Sequence, residues 1–366
     1  MKRIVISSAG RSHLLDVSRE LQRQGFDVIF YSFTPYKNFK RYGLEKGGIS
    51  LLIPMLPFIF LHRKVKKWWS TKMYYKLMDM LVSIQLPQCD ILIAQSPVYT
   101  KTIKKAKKKY NAKILLDRGS SHVKIFDALA ANYGGETHTD EYVKMEEKQY
   151  DLADFIVVGS SYNADGFKSL GYKDKIFINN YGVYLDSFRP TRLQDNPYDL
   201  IMVGRWSRRK GCNFLKEYLE KHPQRSLLHV GSIEDSNLIP QTNNFNHVDS
   251  VPEHRLADYY SMARAFVLLS RDEGLALVQA QAIACGLPLL ITHNTGGEDF
   301  IKHLDDPKWI KVVEDFTQEA IEEGVEYVIN LANTQQGVRS YISDIEKKIS
   351  WEAYGVRYKQ FIDSIV

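Results

Sequence analysis

The sequence predicts an α/β protein built from two doubly wound, Rossmann-like domains. Three observations carry this. At 366 residues the chain is long enough for two cores of ordinary size. Short β-branched runs alternate with helical stretches, the rhythm of a parallel sheet covered on both faces. That rhythm restarts after a polar, proline-bearing stretch at 189–198, which reads as a linker. The domains are therefore placed at 1–188 and 189–349, with a closing helix in 350–366.

Residues 4–7 are the first strand and end in Ser-Ser-Ala-Gly-Arg-Ser. Helical spacing of Leu14, Leu15, Val17 and Leu21 follows, Gly25 stops it, and 27–31 (DVIFY) is the next strand. Ligands of such sheets sit beyond the C-terminal strand ends, which puts Gly10 and Arg11 at the mouth of a cleft. The loop lacks the three-glycine dinucleotide fingerprint, so no nicotinamide cofactor is expected. A tight turn would need Gly10 equally.

Residues 37–76 break the rhythm. The apolar run 51–61 holds Pro54 and Pro57 and is too short to span a bilayer. Arg63, Lys64, Lys66, Lys67, Trp68 and Trp69 come next, a mixture suited to a lipid headgroup layer. A second basic run, 101–113, sits on a predicted helix; alone it reads as a solvated face. Residues 1–116 hold 22 Lys and Arg against 6 Asp and Glu, a balance of +16, whereas the remainder holds 27 against 37, or −10. An anionic membrane surface is thus the partner expected for the first half. Nucleic acid is not, because no recognition module is present. Cys89, Cys212 and Cys285 have no ligand or redox spacing, which suits a reducing compartment. The N-terminal apolar run is too short for a signal peptide. The expected location is cytoplasmic, peripheral to the inner face of the membrane.

Strands at 90–94 and 113–117 follow, and the second delivers Arg118-Gly119-Ser120-Ser121-His122 to the cleft. There His122 can bond a sugar hydroxyl or a phosphate; a structural histidine is the alternative. An acidic helix at 136–151, a strand at 155–159, a helix capped by Ser160 and a strand at 175–179 complete the domain. The second domain opens with strand 199–203 and the loop Gly204-Arg205-Trp206-Ser207-Arg208-Arg209-Lys210-Gly211. Arg205 and Lys210, five apart across a turn into a helix, can converge on one diphosphate; a basic surface turn is the alternative. Strand 226–231, a short strand at 247–250, helix 253–262 and strand 265–270 lead to the stretch 270–292, SRDEGLALVQAQAIACGLPLLIT. It reads as an acidic turn, Asp272-Glu273-Gly274, then a small-residue helix at 278–285 stopped by Gly286 and Pro288, then a buried strand at 287–291. A carboxylate before a helix N-terminus suits a polar, anionic ligand.

This last stretch resembles the glutamate–seven residues–glutamate signature of the retaining family 4 glycosyltransferases, which have the GT-B fold. The segment NYGVYLDSFRP at 180–190 and the Arg205–Lys210 loop also resemble that family. The likeness is strong over 180–300 and weak over 35–115. One position departs from the signature: eight after Glu273 stands Gln281. The resemblance implies a GT-B fold whose final helix, 351–365, crosses back to complete the first domain. It implies a retaining, metal-independent hexosyl transfer without cofactor, from a nucleotide-diphosphate sugar, UDP ahead of GDP, to an acceptor hydroxyl. The acceptor would be a glycan or lipid-linked glycan in bacterial cell-surface polysaccharide synthesis. Arg205 and Lys210 would neutralise the leaving diphosphate, Glu273 would hold the sugar, and His122 would line the sugar site. Gly10, Gly204, Gly231, Val251 and the turn Gly274, Leu275, Ala276 and Leu277 would line the nucleotide. Gln281 would face the ribose, where an amide offers one acceptor group fewer than a carboxylate. Arg11 would lie with the basic aromatic segment on the acceptor side. A sugar-nucleotide epimerase of the same fold, or a catalytically idle membrane-bound partner subunit, remains the alternative.

Overall fold

The computed structural model describes residues 1–65, 67–190, 196–335 and 340–366. Strands β1 (Arg3–Ser7), β2 (Asp27–Ser32), β3 (Gly48–Ser50), β4 (Ile91–Gln95), β5 (Lys113–Arg118), β6 (Phe155–Val158) and β7 (Ile176–Ile178) form one parallel sheet in the order β3-β2-β1-β4-β5-β6-β7. Strands β8 (Tyr198–Val203), β9 (Leu227–Val230), β10 (Phe245–Val248), β11 (Ala263–Leu268), β12 (Leu289–Thr292) and β13 (Ile310–Val313) form a second, ordered β10-β9-β8-β11-β12-β13. Central strands are buried on both sides, as helices on both faces require: Ile4, Val5 and Ile6 in β1, and Leu200, Ile201 and Met202 in β8. Strand order reverses beside β1 and beside β8, and a crevice opens at each such switch point. The loops carrying Gly10–Arg11 and Gly204–Lys210 leave those two strands, so both arrive at the cleft.

The closing helix runs Trp351–Ile365. Ser350 caps it by accepting from the Ala353 N–H at 2.9 Å. It packs on the first-domain helix Leu14–Arg23; at Gly355 an added Cβ would lie 2.8 Å from that of Glu20. Phe361 stacks on Phe177 of β7, ring centroids 3.8 Å apart. The chain thus ends on the domain in which it began. Within the expected linker, residues 191–195 lie outside the described residues.

The segment that breaks the α/β rhythm contains a helical hairpin, Leu52–Val65 and Trp68–Gln85, preceded by the edge strand β3. Pro54 falls in the first helical turn, where its missing N–H costs nothing, and Pro57 removes one bond on an exposed turn. Both prolines are thus accommodated within one continuous helix. Of the first helix only Met55 is buried, while Ile53 (82% exposed), Leu56 and Phe60 form an open stripe at helical spacing. Trp69, Met73, Met80 and Ile84 (70% exposed) continue an apolar stripe along the second helix. Among the described residues no helix is long and apolar enough to cross a membrane.

Candidate functional site

The loop after β8 is pinned by Gly211, which has a φ of 73° and sits so close that a Cβ would lie 2.0 Å from the Leu269 carbonyl oxygen. That contact slides Lys210 beneath the turn following β11. The Lys210 ammonium pairs with Glu273 Oε1, and the Arg209 guanidinium lies 3.4 Å from the same oxygen. Arg209 also donates to the Asp272 carbonyl at 2.8 Å. The Glu273 N–H donates to the Asn294 carbonyl at 2.9 Å, which ties the turn to the chain after β12. Burial pushes the Glu273 carboxyl up, but Lys210 and Arg209 outweigh it and hold it below the usual carboxylate range. An ionised carboxylate gripped by two cations therefore stands at the end of the second sheet, opposite the strand ends of the first.

Arg205, expected to converge with Lys210, instead turns outward to Glu234 at 2.7 Å. It lines a cavity of about 540 Å³ together with Arg208, Arg209 and, from the first domain, Tyr133 and His138. Sequence reasoning missed Arg209; the signal was the run of three cations at 208–210, of which Arg209 and Lys210 both reach Glu273. Gly231 meets the Gly204 loop, a Cβ there lying 1.9 Å from the Gly204 oxygen.

The turn Gly274–Leu277, expected to line the nucleotide, is where the two domains touch. The Gly274 carbonyl accepts from the Ser160 hydroxyl at 2.5 Å, and a Cβ at Gly274 would meet the Gly119 oxygen at 2.0 Å. Leu275 and Ala276 are buried, and Leu277 begins the helix Leu277–Ala284. Ser121 donates to Asp272, and Asp299 accepts from the Ser161 N–H at 2.9 Å and the Asn180 amide at 2.7 Å. The domains are therefore closed upon each other.

Beside this contact lies a second cavity, about 770 Å³, lined by Arg11 on one side and by Val251, Pro252 and Glu253 on the other. Arg11 does not join the basic aromatic segment. It crosses to Glu253, 3.1 Å away, and lies over the Tyr42 ring. Gly10 lets it do so, since a Cβ there would sit 2.9 Å from the Phe33 ring. Gln281 is buried, its oxygen 3.2 Å from the Tyr260 hydroxyl and its nitrogen 3.1 Å from Glu253.

His122 is displaced from its expected role. Its ring is fully buried among Tyr150, Phe167 and Tyr172, and its Nδ1 accepts from the Lys124 N–H at 3.2 Å, capping the helix Val123–Asn132. It cannot touch a sugar in the cleft. Another first-domain histidine, His13 on the loop after β1, is largely buried, its Nε2 3.0 Å from Asp117 at the end of β5 and its ring against that of Tyr181. Burial acts to lower the His13 pKa, but Asp117 outweighs it and raises it above the usual imidazole value. Its signal in the sequence was only a histidine after the first glycine loop.

Burial holds His122 down to about 4. A histidine whose folded pKa is depressed contributes stability that is complete above the ordinary imidazole value and is lost as pH falls toward the folded value. Between pH 7 and pH 5 this one group should remove about 2 kcal/mol of folding stability. His122→Asn keeps a capping acceptor without the titrating ring, so denaturant unfolding of that variant should lose correspondingly less over the same interval. An equal loss in both proteins would refute this.

Of the basic aromatic segment, Trp68 is tied down. Its indole donates to Glu141 at 2.7 Å and packs edge-on against Tyr142, so only Trp69 of the pair is exposed. Arg63, Lys64 and Lys67 are exposed at the hairpin turn, and Lys66 lies outside the described residues.

Residues 185–343 match the family model described as Glycosyl transferases group 1. No curated protein matches the chain. Solved structures share its whole fold at low identity. Sucrose-phosphate synthase from Thermosynechococcus elongatus superposes with a TM-score of 0.69 at 15% identity, over 100% of this chain and 99% of that one. HepE from Anabaena, in complex with UDP and glucose, gives 0.67 at 11%, over 100% of both chains. Trehalose-6-phosphate synthase from E. coli, bound with UDP-2-fluoro glucose, gives 0.64 at 12%, over 100% and 99%. The fold of the present chain is GT-B.

Proposed function

We propose that the chain is a retaining, metal-independent glycosyltransferase of the family 4 kind, moving a hexose from a UDP-sugar to a lipid-linked or otherwise membrane-held glycan. The observation that carries this reading is the ionised Glu273 clasped by Lys210 and Arg209 at the end of β11. Glycosyl transfer leaves positive charge on the sugar ring and negative charge on the departing diphosphate. Lys210 and Arg209, with Arg205 at the rim, are placed to stabilise the diphosphate, and Glu273 to accept hydrogen bonds from the sugar. Uridine is favoured because HepE, of the same fold, is known in complex with UDP and with UDP-glucose. Incubation with UDP- and GDP-sugars should release nucleoside diphosphate from a uridine donor, faster with acceptor present. An epimerase would convert the donor without releasing it, and no release from any donor would overturn the reading.

The membrane assignment rests on the hairpin. Its exposed Ile53, Leu56, Phe60 and Trp69 adjoin Arg63, Lys64 and Lys67, which suits an interface where cations meet lipid phosphate and apolar groups enter below them. Each basic residue near an anionic surface contributes about 1 kcal/mol, and insertion adds a part that salt does not screen. On this reading the protein works at the cytoplasmic face of the membrane. On flotation with anionic liposomes, binding should fall with salt without vanishing, and Phe60→Ser with Trp69→Ala should lower the remainder. A protein wholly in the unbound fraction at moderate salt would make a water-dissolved acceptor the better assignment.

A further inference from the structure

Gln281 occupies the position where the resemblance expects the acid that holds the nucleotide ribose, yet a carboxylate is present there from another element. Glu253 opens a short turn of 3₁₀-helix after β10 and stands half-buried in the 770 Å³ cavity between the domains. Its Oε1 accepts from the Gln281 amide nitrogen at 3.1 Å, and its Oε2 from Arg11 of the first domain at 3.1 Å. The buried Gln281 has its oxygen turned to the Tyr260 hydroxyl at 3.2 Å, which fixes the nitrogen toward Glu253. Burial raises the Glu253 carboxyl above its ordinary range despite Arg11 and Gln281, so those two donors do not fully compensate its charge.

A carboxylate has about four lone-pair sites, two on each oxygen. Gln281 and Arg11 occupy one on each oxygen, and one on each remains open. Two acceptors on adjacent oxygens match the two neighbouring hydroxyls of a ribose. An amide, with its oxygen already turned to Tyr260, cannot provide that pair. We propose that Glu253 accepts the ribose 2′ and 3′ hydroxyls of the bound nucleotide in place of an acid at 281, with Gln281 as the residue that positions it. Arg11 then ties ribose binding to domain closure, since it reaches the same carboxylate from the opposite domain. The assignment rests on the nucleotide-sugar reading given above.

The test is calorimetric binding of UDP, 2′-deoxy-UDP and 2′,3′-dideoxy-UDP to the wild type, Glu253→Gln and Gln281→Glu/Glu253→Gln, with GDP and its analogues run alongside. The wild type should prefer the ribonucleotide by about tenfold or more, the size of a lost hydrogen bond to a charged group. Glu253→Gln should bind the three uridine ligands nearly alike, its affinity for the dideoxy form being unchanged. The double variant, which moves the acid to 281, should recover the preference for UDP. If Glu253→Gln keeps the wild-type discrimination, or weakens all three ligands equally with a lowered melting temperature, Glu253 is an interdomain strut and the assignment falls. If the wild type binds no nucleoside diphosphate of either base, the nucleotide reading itself fails and takes this assignment with it.

Discussion

Replacing Lys210 by alanine should lower turnover at least tenfold and weaken binding of the nucleoside diphosphate. The ammonium is largely buried, beneath the turn after β11, where a point charge acts through less water than at the surface. A developing diphosphate charge met there is stabilised by a group already in position, and removal of one such preorganised contact costs on the order of a hundredfold in other enzymes. Deletion has a second consequence, because it leaves Glu273 with Arg209 alone at 3.4 Å. Breaking a buried ion pair from one side costs about 3–5 kcal/mol of stability where no partner remains. Melting temperature must therefore be read beside kcat and KM. Unaltered kinetics would mean that Lys210 serves only to neutralise Glu273.

Glu273→Gln separates the two halves of the site. The amide has nearly the same shape, so Lys210 and Arg209 stay in place, freed from their carboxylate. Affinity for UDP should hold or rise, while transfer falls on the order of a hundredfold, because the lost group contacts the sugar and its developing charge rather than the phosphates. A parallel loss of nucleotide affinity and turnover would reassign Glu273 to the nucleotide. The pair of variants is informative together: Lys210→Ala should damage KM and kcat, Glu273→Gln chiefly kcat.

Residues that act on near neighbours were legible without coordinates. Glu273 and Lys210 stand out because each follows a recognisable strand and precedes a recognisable helix, and strand ends define the cleft of a doubly wound fold. Arg209 was hidden by its neighbours, since three cations in a row carry no sign of which of them will reach a carboxylate on another loop. His122 misled for a related reason. It lies just past the end of β5, as a cleft residue would, but the tyrosines and phenylalanine that enclose it come from elsewhere in the first domain.

The sequence by itself determined the two parallel sheets, their loops at the cleft and the helix at 351–365, because burial of alternating apolar runs is a local property read by periodicity. It showed too that residues 51–69 gather apolar, aromatic and basic side chains, but their helical form came from the structure alone. Only the tertiary structure decided which side chains meet. Arg11 and Glu253 are 242 positions apart and His13 and Asp117 are 104, and neither pair has a spacing that periodicity could reveal. Their encounter depends on the order of strands within each sheet and on how closely Gly119 and Gly274 let the domains approach. Local pattern governs which residues are buried; the packing of one sheet's loops against the other's governs which charges become partners.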